Sequence, residues 1–203
     1  MGRELARSLG FGYLDTGIMY RAITWLALNN GIPVDDETSL GELARANPLG
    51  LVGDDSDQVL VAGHTLGPEL RDSAVDSNVS MVSKAPPVRI ELVAQQRQTA
   101  AKGNIVMIGR DIGTVVLPDA DLKVYLDATI EERARRRYAD FLAAGNEVSQ
   151  EIVLEDIRRR DRIDSEREVS PLRPADDAVI IDTEGLSLDD VMDRVIGLVR
   201  GGK

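Results

Sequence analysis

Arg110 and Asp111 stand side by side where an apolar run stops. The segment Asn104 to Thr114 reads Asn-Ile-Val-Met-Ile-Gly-Arg-Asp-Ile-Gly-Thr. Four consecutive apolar residues, Ile105 to Ile108, lead into Gly109, Arg110 and Asp111. This is the pattern of a buried strand ending in a turn, with a fixed cation beside an anion. In open parallel α/β sheets, ligands bind outside the carboxyl ends of the strands. An Arg there offers a planar fork suited to a phosphate, and an Asp accepts from an amine or a hydroxyl. The stretch therefore suggests a phosphorylated small molecule held at a sheet edge. An ordinary strand followed by a surface Arg-Asp turn has the same pattern.

A second concentration of charge lies further on, in Glu131 to Arg137 and in Arg158 to Arg167. From Glu131 to Arg173 there are ten Arg and eleven Asp or Glu. Such a mixture is no basic patch. One reading is a solvated helix pair laced with salt bridges. The other is that a few arginines converge on phosphates while neighbouring carboxylates hold their forks. Phosphoryl transfer needs a clamp of that kind, because its transition state spreads charge over the equatorial oxygens. Arg160, Asp164 and Arg167 fall on one helical face if the helix persists.

Composition narrows the field. The net charge is −11 and the pI about 4.6, a field that repels nucleic acid. There are no cysteines, so thiol catalysis and Cys-based metal sites are excluded. The single histidine, His64, lies in Ala-Gly-His-Thr-Leu-Gly and reads as a turn residue at the surface. No metal site is expected from the residues themselves. No apolar run reaches the ~18 residues a membrane span needs, and the N-terminus lacks the apolar region of a signal peptide. The expectation is a soluble, cytoplasmic protein without membrane or nucleic-acid partners.

The elements that must position these residues alternate between strand and helix. Gly2 to Leu9 reads as the back half of an amphipathic helix stopped at Gly10, with nothing before it as a cap. Phe11 to Leu14 reads as a short strand, and Asp15-Thr16-Gly17 as a helix start. Ile18, Ala22, Ile23, Leu26 and Ala27 form the stripe of that helix. Leu49 to Val52 and Gln58 to Ala62 read as strands paired around a turn at 53–57. Glu69 to Ser83 reads as short helical segments, and Pro86-Pro87 opens a helix to about Lys102. Its stripe is Val88, Leu92 and Val93. Leu122 to Leu126 is a further strand, and Thr129-Ile130-Glu131-Glu132 is a capping box that starts a helix to about Ala144. Ser149 to about Arg162 reads as a helix, Val179 to Ile181 as a strand, and Ser187 as the cap of a last helix. The class is α/β with a parallel sheet.

Taken together, three segments carry a resemblance. They are Leu14-Asp15-Thr16-Gly17-Ile18-Met19-Tyr20-Arg21, Gly109-Arg110-Asp111-Ile112-Gly113-Thr114-Val115-Val116, and Arg160 to Arg167 followed by Ser170-Pro171-Leu172. In this order, over essentially the whole chain, they resemble the bacterial cytidylate kinases, which phosphorylate CMP and dCMP. The resemblance implies one P-loop nucleoside-monophosphate-kinase-like domain over 1–203, its parallel sheet flanked by helices. An inserted monophosphate-binding lobe would cover 42–81, and lid-type helices 131–168. It implies that Arg21, Arg110 and Arg167 hold the acceptor phosphate. Asp111 would accept from the cytosine amine, with Ser80 and Arg89 completing the base edge and Thr16 and Tyr20 lining the pocket. Arg160 and Asp164 would reach the sugar or the transferring phosphoryl. Arg133, Arg136 and Arg137 would lie over the ATP phosphates. ATP with Mg²⁺ would be the co-substrate, and the enzyme would be a monomer.

One expected part is missing from these residues. The family begins with a strand, a Gly-rich P-loop with its Lys, and a helix; the strand lies in the middle of the sheet. No Gly-x-x-x-x-Gly-Lys-[Ser/Thr] occurs here, and the only lysines are Lys84, Lys102, Lys123 and Lys203. The match starts inside the helix after the P-loop, so roughly 20 residues of the family pattern, including the first, central strand, are absent. The expectation is a start site placed too late, with the motif encoded upstream in frame. The 203-residue chain by itself is expected to be poorly stable and impaired in catalysis, since unpaired interior edges cost ~1–3 kcal/mol per buried group. The alternative is a catalytically inactive cytidine-nucleotide-binding or regulatory protein derived from the kinase. A kinase of the same fold with another acceptor, UMP or shikimate, is a third reading; Asp111 with Arg89 and Ser80 speaks for cytosine.

Overall fold

The computed structural model describes residues 1–52, 58–143, 145, 147–166 and 170–201. The chain divides into two compact units, Met1–Leu117 and Pro118–Lys203. The expected 42–81 insert belongs to the first, and the two arginine-rich helices belong to the second.

In the first unit, α1 (Gly2–Leu9) leads into β1 (Gly12–Asp15) and α2 (Thr16–Asn29). Asp15 ends the strand and starts the helix, its carboxylate accepting from the Gly17 amide at 2.9 Å. Helix α2 is buried on two sides. Met19, Tyr20, Ile23 and Ala27 join Leu14, Leu40, Ala44, Val82, Val88 and Leu92 in one cluster. Ala22 and Leu26 join Val59, Val61, Leu66 and Leu70 in another. The second cluster is the inner face of a small antiparallel sheet, β2 (Gly50–Val52), β3 (Gln58–Val61) and β4 (His64–Leu66). The turn expected at 53–57 lies outside the described residues.

Two elements depart from the sequence reading. His64 belongs to strand β4, not to a turn; it is exposed, and its ring lies 5.4 Å from that of Trp25. Only Val59, Val61 and Leu66 had to face inward for the third strand to form, too short an alternation to read alone. Helix α3 (Glu37–Ala46) is the second. Its signal was the cap Asp36, which accepts from the Ser39 amide at 3.1 Å, but Gly41 in mid-helix weakens the pattern. The glycine is needed there: a Cβ on Gly41 would meet the Pro87 Cβ at 2.3 Å, where α3 packs on α5.

A 3₁₀ turn (Pro68–Arg71), α4 (Ser73–Lys84) and α5 (Pro86–Ala100) follow. The α5 stripe of Val88, Leu92 and Val93 is buried as its spacing predicts, but Arg89 and Gln96 are buried with it. Strand β5 (Ile105–Ile108) pairs in parallel with β1, Asp15 opposite Ile108. A single turn of π-helix, Ile112–Val116, closes the unit.

In the second unit, β6 (Val124–Asp127) and β7 (Val179–Asp182) pair in parallel, with α6 (Ile130–Ala143), α7 (Gln150–Glu166) and α8 (Leu188–Gly201). Thr129 caps α6 by accepting from the Glu132 amide at 3.2 Å. Only half of the expected capping box forms. The Thr129 amide donates to Glu184 instead, and the Glu132 carboxylate takes hydrogen bonds from Arg135 and Arg136. Ser187 caps α8 through the Asp190 amide, as expected. Among the described residues, parallel pairing is confined to β1–β5 and β6–β7. Ile180 on β7 is left 59% exposed. No helix among the described residues is long and apolar enough to cross a membrane.

Two measurements probe this packing. Gly41→Ala forces α3 away from Pro87 and is expected to cost ~1–3 kcal/mol. Thermal melts should place it between the wild type and Leu92→Ala, a fully buried deletion costing ~2–5 kcal/mol. The second concerns pH. Hydrogen bonds from Arg135, and then from Arg136, lower the Glu132 carboxyl from its ordinary 4.5 to about 2. A carboxyl lowered on folding contributes stability above its unfolded value and loses it as pH falls towards its folded value. The difference in melting temperature between the wild type and Glu132→Gln should therefore narrow as pH drops below about 4.5. A gap that stays constant down to about pH 3 would contradict this.

Candidate active site

The residues singled out in the first unit come together around a buried ion pair. Arg89 on α5 donates through Nη2 to Asp111 Oδ2; the side chains are 3% and 8% exposed. The Arg89 Nη1 donates to the Ser83 carbonyl on α4 at 3.1 Å. The guanidinium carbon lies 5.6 Å from the centre of the Tyr20 ring on α2. Within one turn of Ser83, Ser80 is buried, and its carbonyl accepts from the Ser83 hydroxyl at 3.1 Å. Three helices and the turn after β5 are thus tied at one guanidinium. A buried arginine must have its charge matched, because an unpaired ion in the interior is strongly destabilising.

Thr16 sets the spacing between α2 and β5. It is buried and donates through Oγ1 to the Ile108 carbonyl at 3.0 Å, at the end of the strand. The next residue must be glycine. A Cβ on Gly109 would meet the Thr16 Oγ1 at 2.3 Å and the Ile112 Cδ1 at 2.8 Å. The start of α2 can therefore approach the strand end closely enough for Tyr20 to reach Arg89. Arg110 follows Gly109 and is exposed, whereas Asp111 turns inward.

The turn carrying Asp111 is held from both ends. Its carbonyl accepts from the Val115 amide at 2.9 Å and the Val116 amide at 3.3 Å. At the other end, Arg97 on α5 donates through Nη2 to the Val115 carbonyl at 2.7 Å and through Nε to the Val116 carbonyl at 3.0 Å. A cation at the end of a helical turn satisfies carbonyls that have no partner in the turn itself. Arg97 escaped the sequence reading because an Arg near the end of an exposed-looking helix carries no mark of where its fork lands. Its position one residue after the buried Gln96, and eight after Arg89, is the only hint.

Arg21 sits one residue after Tyr20 on α2. Its Nη1 donates to the Leu70 carbonyl at 2.9 Å, and its Nη2 lies 2.6 Å from Asp76 Oδ1 on α4. Asp76 was also missed.

In the second unit, the arginines pair with carboxylates. Arg133 grips Asp161 through both terminal nitrogens, at 3.1 and 2.6 Å, and this pair holds the guanidinium charge firmly. Arg136 reaches Glu132 through Nε, and the Thr183 hydroxyl and carbonyl through Nη1 and Nη2, at 3.1 and 2.6 Å. Arg137 lies over the Phe141 ring, its guanidinium carbon 4.9 Å from the centre. On α7, Arg160 pairs with Asp156 at 2.8 Å, one turn before the buried Asp164. Arg167 lies outside the described residues. The salt-bridge-laced helix pair is therefore present. It leaves Arg160 and Asp164 on one face of α7, as their spacing predicts.

The first unit's cluster combines a buried carboxylate fixed by an arginine, an aromatic face and a further arginine nearby. A planar base with an exocyclic amine, carrying a phosphate, suits such a set. The family model for cytidylate kinases matches residues 1–201. A cytidylate kinase of Bacillus licheniformis is 45% identical over 201 residues, covering 98% of this chain and 89% of that protein. One of Rhodococcus opacus is 49% identical over 201 residues, covering 98% and 88%. One of Streptococcus thermophilus is 46% identical over 197 residues, covering 96% and 87%. With the parallel α/β architecture and the Gly-Arg-Asp turn in place, these matches show that the chain belongs to the cytidylate kinase family.

Proposed function

We propose that the first unit holds the acceptor half of a phosphoryl-transfer site that takes CMP or dCMP and returns the diphosphate. The observation that carries this reading is the buried Arg89–Asp111 pair under Tyr20. Asp111 accepts from the cytosine amine, and Arg89 holds the carboxylate in place. Uracil would bring a carbonyl oxygen against the same buried charge, so the site discriminates by repulsion as well as by attraction. Ser80 completes the base edge, and Thr16 and Tyr20 wall the pocket. Arg21, Arg110 and Arg167 hold the phosphate, whose oxygen must stay oriented while it attacks. Arg160 and Asp164 serve the sugar and the transferring phosphoryl, and Arg133, Arg136 and Arg137 the lid over the donor.

ATP is the donor in this reading, with Mg²⁺ carried on its phosphates. Among the described residues, no group of three or more His, Asp or Glu could hold a metal ion. The described residues form no cage for it.

A second reading is a catalytically inactive cytidine-nucleotide-binding or regulatory protein derived from the kinase. A cytidine-nucleotide-binding protein without turnover would need only the acceptor half. Calorimetry with CMP, dCMP, UMP and AMP, followed by an ATP-dependent assay of CMP phosphorylation, separates the two. The 203-residue polypeptide is expected to bind CMP and dCMP and to turn over poorly. Adding the in-frame upstream codons restores turnover if they encode a P-loop. An upstream stop codon with no Gly-rich motif favours the second reading, and no preference for CMP over UMP sinks both.

Two substitutions test the assignment of Asp111. Asp111→Asn is expected to cut the preference for CMP over UMP by ~10- to 100-fold, equivalent to ~1.4–2.8 kcal/mol. It should also lower the melting temperature, because Arg89 is left buried without its counter-charge. Arg97→Ala should weaken CMP binding by roughly 3- to 10-fold and narrow the CMP–UMP difference, since the Asp111 turn loses two charged hydrogen bonds. Arg97→Lys should not restore it, because one ammonium cannot reproduce the two-pronged fork. An unchanged CMP–UMP ratio in Arg97→Ala would leave Arg97 a purely structural residue.

A further inference from the structure

We propose that Asp76 sets the affinity of the acceptor site by competing with the substrate phosphate for Arg21. This rests on the reading of Arg21 as a phosphate ligand. Arg21 has two partners of different kinds. The Leu70 carbonyl accepts from Nη1 at 2.9 Å, and the Asp76 carboxylate forms an ion pair with Nη2 at 2.6 Å. The carbonyl is neutral and is fixed in the 3₁₀ turn Pro68–Arg71. It anchors the guanidinium without opposing an anion. The carboxylate does oppose one. A phosphate gripped by the same fork would lie within about 5–6 Å of it, where like charges repel in a partly desolvated setting. The Arg21 and Asp76 side chains are only 21% and 19% exposed, so salt screens this repulsion weakly.

Position supports the same role. Asp76 and Ser80 are four residues apart on α4 and share one helical face. The carboxylate therefore lies along the wall that carries the proposed base-edge serine. Because Leu70 anchors Arg21 independently, Asp76 is not needed to place it. The free site is thereby closed at its phosphate end by an internal ion pair. A dianionic monophosphate exchanges with one oxygen of a monoanionic carboxylate and prevails. A nucleoside without phosphate leaves the pair intact.

Calorimetric titration of the 203-residue chain with CMP and with cytidine tests this, on the wild type, Asp76→Asn, Asp76→Ala and Arg21→Gln. Asp76→Asn and Asp76→Ala are expected to bind CMP roughly 5- to 20-fold tighter, within the range for charges in one network, with cytidine binding unchanged. The isosteric Asn guards against a loss of fold, and melts of each variant check it. CMP affinity that is unchanged or weaker in both Asp76 variants overturns the proposal and makes Asp76 a support for Arg21. If Arg21→Gln binds CMP as the wild type does, or the wild type binds none, the acceptor-site reading itself fails, and this inference with it.

Discussion

The buried ion pair between Arg89 and Asp111 constrains the rest of the first unit. A guanidinium that is 3% exposed survives only where its charge is matched and its terminal nitrogens find acceptors. Meeting both conditions requires α5 to bring Arg89 under the end of β5, α4 to bring the Ser83 carbonyl, and α2 to bring the Tyr20 ring. Each of those approaches depends on a further detail. Helix α2 reaches the strand end because Gly109 has no Cβ to strike Thr16. The Asp111 turn keeps its shape because Arg97 satisfies its last carbonyls. Breaking the pair would leave one charge buried alone, at a cost of ~3–5 kcal/mol, a large share of the stability of an ordinary domain.

The same pair links fold to chemistry. In the proposed reading the arginine also holds the carboxylate in one orientation, from which it accepts from an amine and opposes a carbonyl. In that reading structural and recognition roles share the same atoms, which lie beside the apolar core around Leu14, Ile23, Val88 and Leu92. Charge in the second unit is handled differently. There, carboxylates pair with Arg133, Arg135, Arg136, Arg158, Arg159 and Arg160, mostly at partly exposed positions where each pair adds little stability.

Much of this was legible in the sequence where a local rule acts alone. The strand at Ile105–Ile108, the cap at Asp15, the helix opened by Pro86 and the caps at Thr129 and Ser187 follow from apolar runs, capping side chains and proline geometry. The Gly-Arg-Asp turn does follow the strand, and Arg89 meets both Asp111 and Tyr20. What was not legible depends on where long side chains end. Arg97, Asp76 and the partner of Arg21 lie on helices whose surface residues look interchangeable until the neighbouring element is in place. Helix α3 was hidden by Gly41, whose role is visible only beside Pro87. Strand β4 was hidden by a three-residue length that no periodicity can resolve. The half-formed capping box at Thr129 shows the same limit: the local motif was right, and tertiary partners redirected half of it.

The most direct test of the proposed cytosine site is a crystal structure of the chain with CMP bound. The exocyclic amine of the base is expected within about 2.7–3.2 Å of the Asp111 carboxylate, with Arg89 still paired to it and the phosphate on Arg21. A base bound elsewhere, or an amine that makes no hydrogen bond to Asp111, would contradict the account.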